Sequence, residues 1–237
     1  MSATHARFAV ETPRFDFYRS IHKALRAFMG DTLVAVGRMD PDDDHDVTVA
    51  LEQARSLLSV LASHLEHENQ FVHTAMEARR PGSTARTAHE HVEHECALGE
   101  LESLIDRVAQ ATGAERAAIG LQLYRRLALF VAENLEHMSI EESDNLAVLW
   151  AEYTDEELMV IERAIVAHVP PSTMATVARW MMAGLAHAER VVLLQGMRHG
   201  APAEVFEGVL AIARANLGAR DWAKLASALA LPNARAA

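Results

Sequence analysis

Cysteine is almost absent from this sequence, and positive charge is neither abundant nor concentrated. The single cysteine, Cys96, excludes an internal disulfide framework and any cysteine-based zinc cluster. Asp and Glu outnumber Lys and Arg by 33 to 22 without any basic run, so nucleic acid and anionic membranes are poor candidates as partners. No uncharged apolar stretch approaches the roughly 20 residues that cross a bilayer, and no apolar signal core opens the chain. We therefore expect a cytoplasmic protein that binds neither nucleic acid nor membrane.

Alternating strand patterns are also missing, and apolar residues recur at helical spacing along almost the whole chain. Four long helices are predicted, at about residues 14–38, 47–79, 84–109 and 114–150. The segments between them are short and contain helix breakers, such as Pro41 and Pro81. Long helices joined by short connections predict an all-α fold, an up-down-up-down four-helix bundle over residues 14–150.

Residues 151–237 have shorter helical segments than the bundle. They predict a C-terminal helical extension, not a second copy of the bundle. Thr154 begins a capping-box pattern that opens one helix. A second helix is predicted from Pro171 to His199, followed by two shorter ones. We expect this extension to pack on the bundle or to form the contact of a homodimer.

Thirteen histidines are many for 237 residues, and their placement carries most of the functional information. Residues four apart share a face of a helix. Two His–Glu pairs with this spacing fall on apolar stripes, namely His64 with Glu68 and His137 with Glu141. Buried imidazoles and carboxylates are costly unless something compensates for them. A third pair, His73 with Glu77, lies on the face opposite His64, and we predict that it is solvated.

Three further histidines lie where the topology brings them to the same end of the bundle. His22 lies toward the start of the first helix, and His91 and His94 lie near the start of the third. In an antiparallel bundle these positions meet the ends of the second and fourth helices, which carry the two His–Glu pairs. The spacing leaves open whether His91, His94 or both take part. His94 is favoured because it is in register with Leu98 and Leu101.

The candidate metal ligands are seven side chains from four helices: His22, His64, Glu68, His91, His94, His137 and Glu141. Nitrogen and oxygen donors without thiolate suit iron, manganese or zinc, and two carboxylates able to bridge suit a pair of irons especially well. The absence of an HExxH motif argues against a zinc protease. The Glu-x-x-His motif of the ferritin-like di-iron proteins is absent too.

Together these motifs resemble the hemerythrin family in its broad HHE cation-binding form. That family carries a His on helix one, HxxxE on helix two, a His near the start of helix three and HxxxE on helix four. The matching residues here are His22, His64 to Glu68, His91 or His94, and His137 to Glu141. The resemblance covers about residues 15–150. It implies a non-haem di-iron centre that interacts with oxygen. In such a centre Glu68 and Glu141 would be the bridging carboxylates and the histidines the terminal donors.

The oxygen-carrying members of that family differ from this sequence in two places. They have HxxxH on helix three, where this chain has either Glu90 four residues before His94 or His91 three residues before it. They have His-x4-Asp on helix four, where Glu141 and Glu142 follow His137. These departures leave the number of ligands open and argue against reversible oxygen binding. A site richer in carboxylates favours oxidised iron, and reaction with oxygen or peroxide is then the alternative to carriage.

Two functions follow as hypotheses. The first is a redox-active di-iron protein that binds or reduces a small diatomic or peroxide ligand, namely O2, NO or peroxide. The second is an iron- or oxygen-responsive sensor, in which ligation orders one end of the bundle and residues 151–237 report the change to a partner. Zinc or manganese could take the place of iron in either hypothesis.

Overall fold

The structure is a computed structural model that describes residues 14–231, and this part of the chain contains helices but no strand. In chain order the α-helices are α1 Tyr18–Arg38, α2 Asp44–His67, α3 Thr74–Arg79, α4 Ala85–Gln110, α5 Gly113–Ile140, α6 Leu146–Glu152, α7 Asp155–His168, α8 Pro171–Gly184, α9 His187–Gly200, α10 Ala203–Asn216 and α11 Ala219–Ala228. None of these helices is both long enough and apolar enough to cross a membrane. The predicted all-α class is confirmed.

Helices α1, α2, α4 and α5 form the bundle, and each packs against the next one around a ring. Large apolar side chains fill the space between them, including Leu25, Phe28, Leu58, Leu101 and Leu127. Each such side chain stabilises the fold by about 1.5–3 kcal/mol by leaving water. The connections at residues 39–43, 80–84 and 111–112 are short, as neighbouring helices that run in opposite directions require.

Two of the bundle helices pass into a π-helical turn, in which backbone hydrogen bonds span five residues instead of four. The first π turn, Glu68–His73, joins α2 to α3, and the second, Glu141–Asn145, joins α5 to α6. The sequence predicted uninterrupted α-helices across both places, and that prediction is wrong. Each π turn begins at the glutamate of an HxxxE pair, and π turns occur frequently at functional sites.

The C-terminal helices pack against the bundle. Helix α8 lies along α1, where the rings of Phe28 and Trp180 stack with their centroids 4.3 Å apart. The approach is closest at Gly184, where a Cβ atom would lie 2.5 Å from the backbone carbonyl oxygen of Lys23. Helices α8 to α11 also share a hydrophobic cluster of their own. The extension is therefore anchored to the helix that carries His22.

The region after α7 contains two helices, α8 and α9, where the sequence predicted one. Between them Ala186 adopts an extended backbone conformation. The Glu189 carboxylate accepts a hydrogen bond of 2.8 Å from the Ala186 backbone N–H and forms an ion pair of 2.6 Å with Lys23 of α1. These contacts explain the break, because they start α9 and attach its first turn to the bundle.

Candidate metal centre

Six of the seven side chains predicted to bind metal meet inside one end of the bundle. His22 comes from α1, His64 from α2, Glu68 from the first π turn, His91 from α4, His137 from α5 and Glu141 from the second π turn. They lie toward the starts of α1 and α4 and at the ends of α2 and α5, so neighbouring helices of the bundle run in opposite directions. Five of the six are buried, and the side chain of His64 is 14% exposed.

The donors form two overlapping groups, each with two histidines and the same two glutamates. One group contains His22, His64, Glu68 and Glu141, and the other contains Glu68, His91, His137 and Glu141. Within each group, one donor atom from every residue lies within 4.8 Å of the others. The two groups therefore have both carboxylates in common, and either group could hold a cation.

Three of the imidazoles have a hydrogen-bonding partner at Nδ1. The pairs are His22 with Glu142 at 3.0 Å, His91 with Asn69 at 2.7 Å and His137 with Glu90 at 2.7 Å. An oxygen acceptor beside Nδ1 retains a ring proton there, so Nε2 is the nitrogen that a cation would bind. The second nitrogen of a metal-binding histidine is oriented in this way in most metalloproteins.

The two carboxylates among these Nδ1 partners, those of Glu142 and Glu90, are each held by an arginine. The carboxylate oxygens of Glu142 accept hydrogen bonds of 2.6 and 3.0 Å from Arg26, and Glu90 accepts one of 2.9 Å from Arg86. Burial raises the pKa of Glu142, but His22 and Arg26 outweigh burial and bring this pKa to about 2. Glu142 is therefore an ionised acceptor that fixes the orientation of the His22 ring.

The inner carboxylates lack the hydrogen bonds that buried charges require. Among the described residues, no donor is aligned with any of the carboxylate oxygens of Glu68 and Glu141. The Nε2 atoms of His22 and His137 each lie 3.4 Å from a Glu141 oxygen without forming a hydrogen bond to it. Burying two carboxylates in this way is costly unless a cation compensates for their charge. The residues present therefore fit a metal centre with imidazole nitrogens and shared carboxylates as donors.

The comparison with protein families agrees with this donor set. A family model described as the hemerythrin HHE cation binding domain matches residues 15–149, which is more than half of the chain. The chain belongs to the hemerythrin HHE cation-binding family. No curated protein and no solved structure gave a match to it. The match ends within α6, so helices α7 to α11 lie outside the matched residues.

Carboxylates raise the pKa of two histidines in this hemerythrin-type site. Burial lowers the pKa of His22, but nearby carboxylates, chiefly Glu142, outweigh burial and raise it to about 9. Burial also opposes the shift at His137, where Glu141 and Glu90 raise the pKa to about 9. Protons on these rings offset part of the carboxylate charge. A cation that binds the same nitrogens must displace the protons, so metal uptake by this site is coupled to proton release.

His94 lies outside both donor groups, although its register had favoured it over His91. Its ring packs edge-on against those of His137 and Phe130, with centroids 4.9 and 5.8 Å apart, and its Nδ1 is buried without a hydrogen-bond partner. Burial, together with the neighbouring His137 and His91, lowers the pKa of His94 to about 4. Register could not separate the two histidines, because positions 91, 94, 98 and 101 all follow one heptad stripe of α4.

His73 is a residue that the sequence analysis placed wrongly. It was predicted to be solvated with Glu77, but it is buried, and its ring stacks on that of His91 at a centroid distance of 4.7 Å. The first π turn explains the difference, because the altered winding carries His73, five residues after Glu68, toward the metal-binding side. Glu77 instead accepts hydrogen bonds from the loop that follows α3. The apolar periodicity gave no signal of this turn.

A second layer of buried polar side chains lies one turn away from the donors and contains Tyr18, His73, Thr87 and Asn145. Thr87 Oγ1 lies 3.2 Å from His73 Nε2 and 3.4 Å from the amide nitrogen of Asn145. The ring of Tyr18 lies 4.9 Å from that of His22. Its hydroxyl has no hydrogen bond of normal geometry, and burial, together with Glu141 and Glu68, raises its pKa. Burial and the nearby His91 lower the pKa of His73, so its imidazole is neutral. The layer therefore places a neutral imidazole and the phenol of Tyr18 at the edge of the site.

Proposed function

We propose that the protein is a non-haem di-iron protein that binds or reduces O2, peroxide or NO. The observation that carries the proposal is the pair of overlapping donor groups that share Glu68 and Glu141, whose buried oxygens have no hydrogen-bond donor in the described residues. Two shared carboxylates suit a pair of cations and retain both of them when their charge changes.

The choice of iron follows from the donor types. The groups offer imidazole nitrogens and carboxylate oxygens and no thiolate, a combination that suits iron, with zinc or manganese as possible substitutes. Each group supplies two histidines and two shared carboxylates, which is fewer donors than an octahedral ion accepts. Positions would therefore stay open for a small molecule.

Iron, when bound, supplies the electron-transfer chemistry with O2, peroxide or NO, and the chain supplies orientation and proton control. Glu142, Asn69 and Glu90 fix three imidazole rings through Nδ1. Apolar packing on the remaining sides excludes water and strengthens every electrostatic interaction within the site. Tyr18 adds a phenol hydroxyl that is free to donate a hydrogen bond to a small ligand.

A second candidate function, an iron- or oxygen-responsive sensor, is favoured by contacts between the site and the extension. Helix α7 packs on the first π turn, where the ring of His168 lies 4.8 Å from that of Phe71. Lys23, next to His22 in sequence, forms its ion pair with Glu189 of α9. A change in winding at the first π turn would therefore move α7, and a shift of α1 would move α9, through these direct contacts.

Elemental analysis of ligand variants tests the metal centre. We expect His64→Ala and Glu68→Ala to lose most of the bound iron and to unfold at a lower temperature than the unaltered protein, because each change removes a donor. His89→Ala is the matched control, since His89 is exposed and belongs to neither donor group. Full iron content in both ligand variants would overturn the assignment.

Anaerobic reduction followed by air or peroxide separates the two functions. Repeated turnover of peroxide, followed by visible absorbance, would support the redox protein. A single oxidation accompanied by a change in oligomeric state would support the sensor, and would also test whether residues 151–237 form a homodimer contact.

A further inference from the structure

A groove on the surface of the bundle leads toward the metal-binding residues. It lies between α4 and α5, has a volume of about 510 Å³, and reaches His94 and His137. His137 belongs to one of the donor groups, whereas His94 belongs to neither. The groove therefore connects solvent with the edge of the metal centre.

Five glutamates line the groove and differ in exposure, and we call the part with the most exposed ones, Glu93 and Glu136, its mouth. The side chains of Glu136 and Glu93 are 78% and 67% exposed, and that of Glu90 is 21% exposed. Glu90 in turn accepts the hydrogen bond from Nδ1 of His137, at 2.7 Å. The lining thus includes both exposed carboxylates and one, Glu90, that contacts a metal-binding histidine.

Positive charge offsets this acidic lining only in part. Arg126 and Arg86 each contact two of the five glutamates that line the groove, at nitrogen–oxygen separations of 2.8 to 4.0 Å. Glu93 contacts neither arginine and lies 3.6 Å from the exposed His89. A cleft with an excess of one sign of charge concentrates counter-ions and accelerates their association by roughly 10- to 1,000-fold.

His94 and His137 are the least exposed polar residues that line the groove, and we call this part its inner end. His94 is 4% exposed, and its Nδ1 has no hydrogen-bond partner. A buried polar nitrogen without a partner carries a free-energy cost that its packing against His137 and Phe130 does not remove. The groove lining thus holds a second imidazole, that of His94, beside the metal-binding His137.

We propose that the groove is the path by which a divalent cation enters the centre. Glu93 and Glu136 attract the hydrated ion, and His94 binds it transiently beside His137, whose ring Glu90 keeps oriented. The inference rests on the proposed function, because the path requires a metal centre at its inner end. A cation that crossed the apolar packing of the bundle would lose its hydration without gaining donors, whereas the groove supplies donors at each stage.

The mouth of the groove is tested by the rate of metal uptake. Metal-free full-length protein is mixed with Co²⁺ in a stopped-flow instrument, and the visible absorbance of the bound ion is recorded. We expect the double variant Glu93→Gln/Glu136→Gln to load about tenfold more slowly at low ionic strength, with a difference that shrinks as salt screens the charges. The matched control is Glu52→Gln/Glu115→Gln, which removes the same charge from exposed positions at the far end of the bundle.

The inner end is tested by His94→Gln, with His94→Ala as a second variant in case one of them folds poorly. We expect these variants to load cobalt more slowly than the unaltered protein. The loading rate should depend on salt concentration as it does in the unaltered protein, and the final cobalt content should be the same. A reduced final content would show that His94 is a ligand of the centre and would overturn its role on the path.

If the groove variants load at the same rate as the unaltered protein, and the unaltered protein loads fully, the entry path is wrong. The proposal of a metal centre is not affected by that result. Failure of the unaltered protein to bind cobalt or iron would instead count against the proposed function.

Discussion

The two ends of the bundle bury polar groups in opposite ways. At the end away from the metal-binding residues, Arg116 is 8% exposed and all its polar contacts are well formed. Its guanidinium donates hydrogen bonds to the carbonyl oxygens of Ala111 and Pro41, at 2.7 and 2.9 Å, and to Asp44 at 2.8 Å. One buried cation thereby ties together the two loops at this end.

At the other end the buried groups are charged and poorly satisfied. Glu68 and Glu141 are 3% and 0% exposed, and none of their carboxylate oxygens has an aligned donor among residues 14–231. Nearly all buried polar groups in folded proteins are hydrogen-bonded, so a concentration of exceptions requires an explanation. The contrast teaches that buried charge alone does not indicate a functional site, whereas buried carboxylates without aligned hydrogen bonds indicate a candidate one.

Removal of the metal should change the stability of the two ends of the bundle more than any substitution, and it should act on only one of them. A ligand that binds only the folded chain stabilises it by about 4 kcal/mol when its free concentration is a thousand times its Kd. We therefore expect chelator-treated protein to unfold at a clearly lower temperature than iron-loaded protein. Amide hydrogen exchange should show the lost protection in the two π turns and not around Arg116. Equal loss at both ends would contradict the comparison.

Substitution of Arg116 should have a smaller effect of a different kind. Arg116→Ala leaves the carbonyl oxygens of Ala111 and Pro41 without their donor, which should lower the free energy of unfolding by about 2 kcal/mol. Urea denaturation measures this change, and Arg125→Ala, at an exposed position, is the control. Iron content should stay at its original value in both variants. A loss of iron in Arg116→Ala would show that the two ends are coupled.

Much of the metal centre could be predicted because its residues follow regular α-helical geometry. The pairs His64 with Glu68 and His137 with Glu141 stand four apart on apolar stripes, and alternation of helix direction brings His22 to the same end. That these residues bind metal remains a prediction, and their convergence supports it. The choice between His91 and His94 could not be made, because residues three apart on one heptad stripe both face inward.

The rest of the site depends on backbone winding that leaves no periodic signal. A π turn needs only one extra residue within a turn, and the stretch from Glu68 to His73 has the composition of an ordinary helix. His73 was therefore assigned to the wrong face. Its packing on His91 could be found only once the positions of α2 and α4 were known.

The Tyr18 hydroxyl allows the contrast to be tested at the level of one atom. If this hydroxyl is unsatisfied because it serves a small ligand, Tyr18→Phe should stabilise the metal-free protein by about 1 kcal/mol, since an unpaired buried polar group is removed. In iron-loaded protein the same change should weaken binding of azide, a small anionic probe, by about fivefold, because a hydrogen bond is worth about 1 kcal/mol. Tyr124→Phe, at a partly exposed position, is the control. Destabilisation of the metal-free protein with unchanged azide affinity would place Tyr18 with Arg116, among the groups that only maintain the fold.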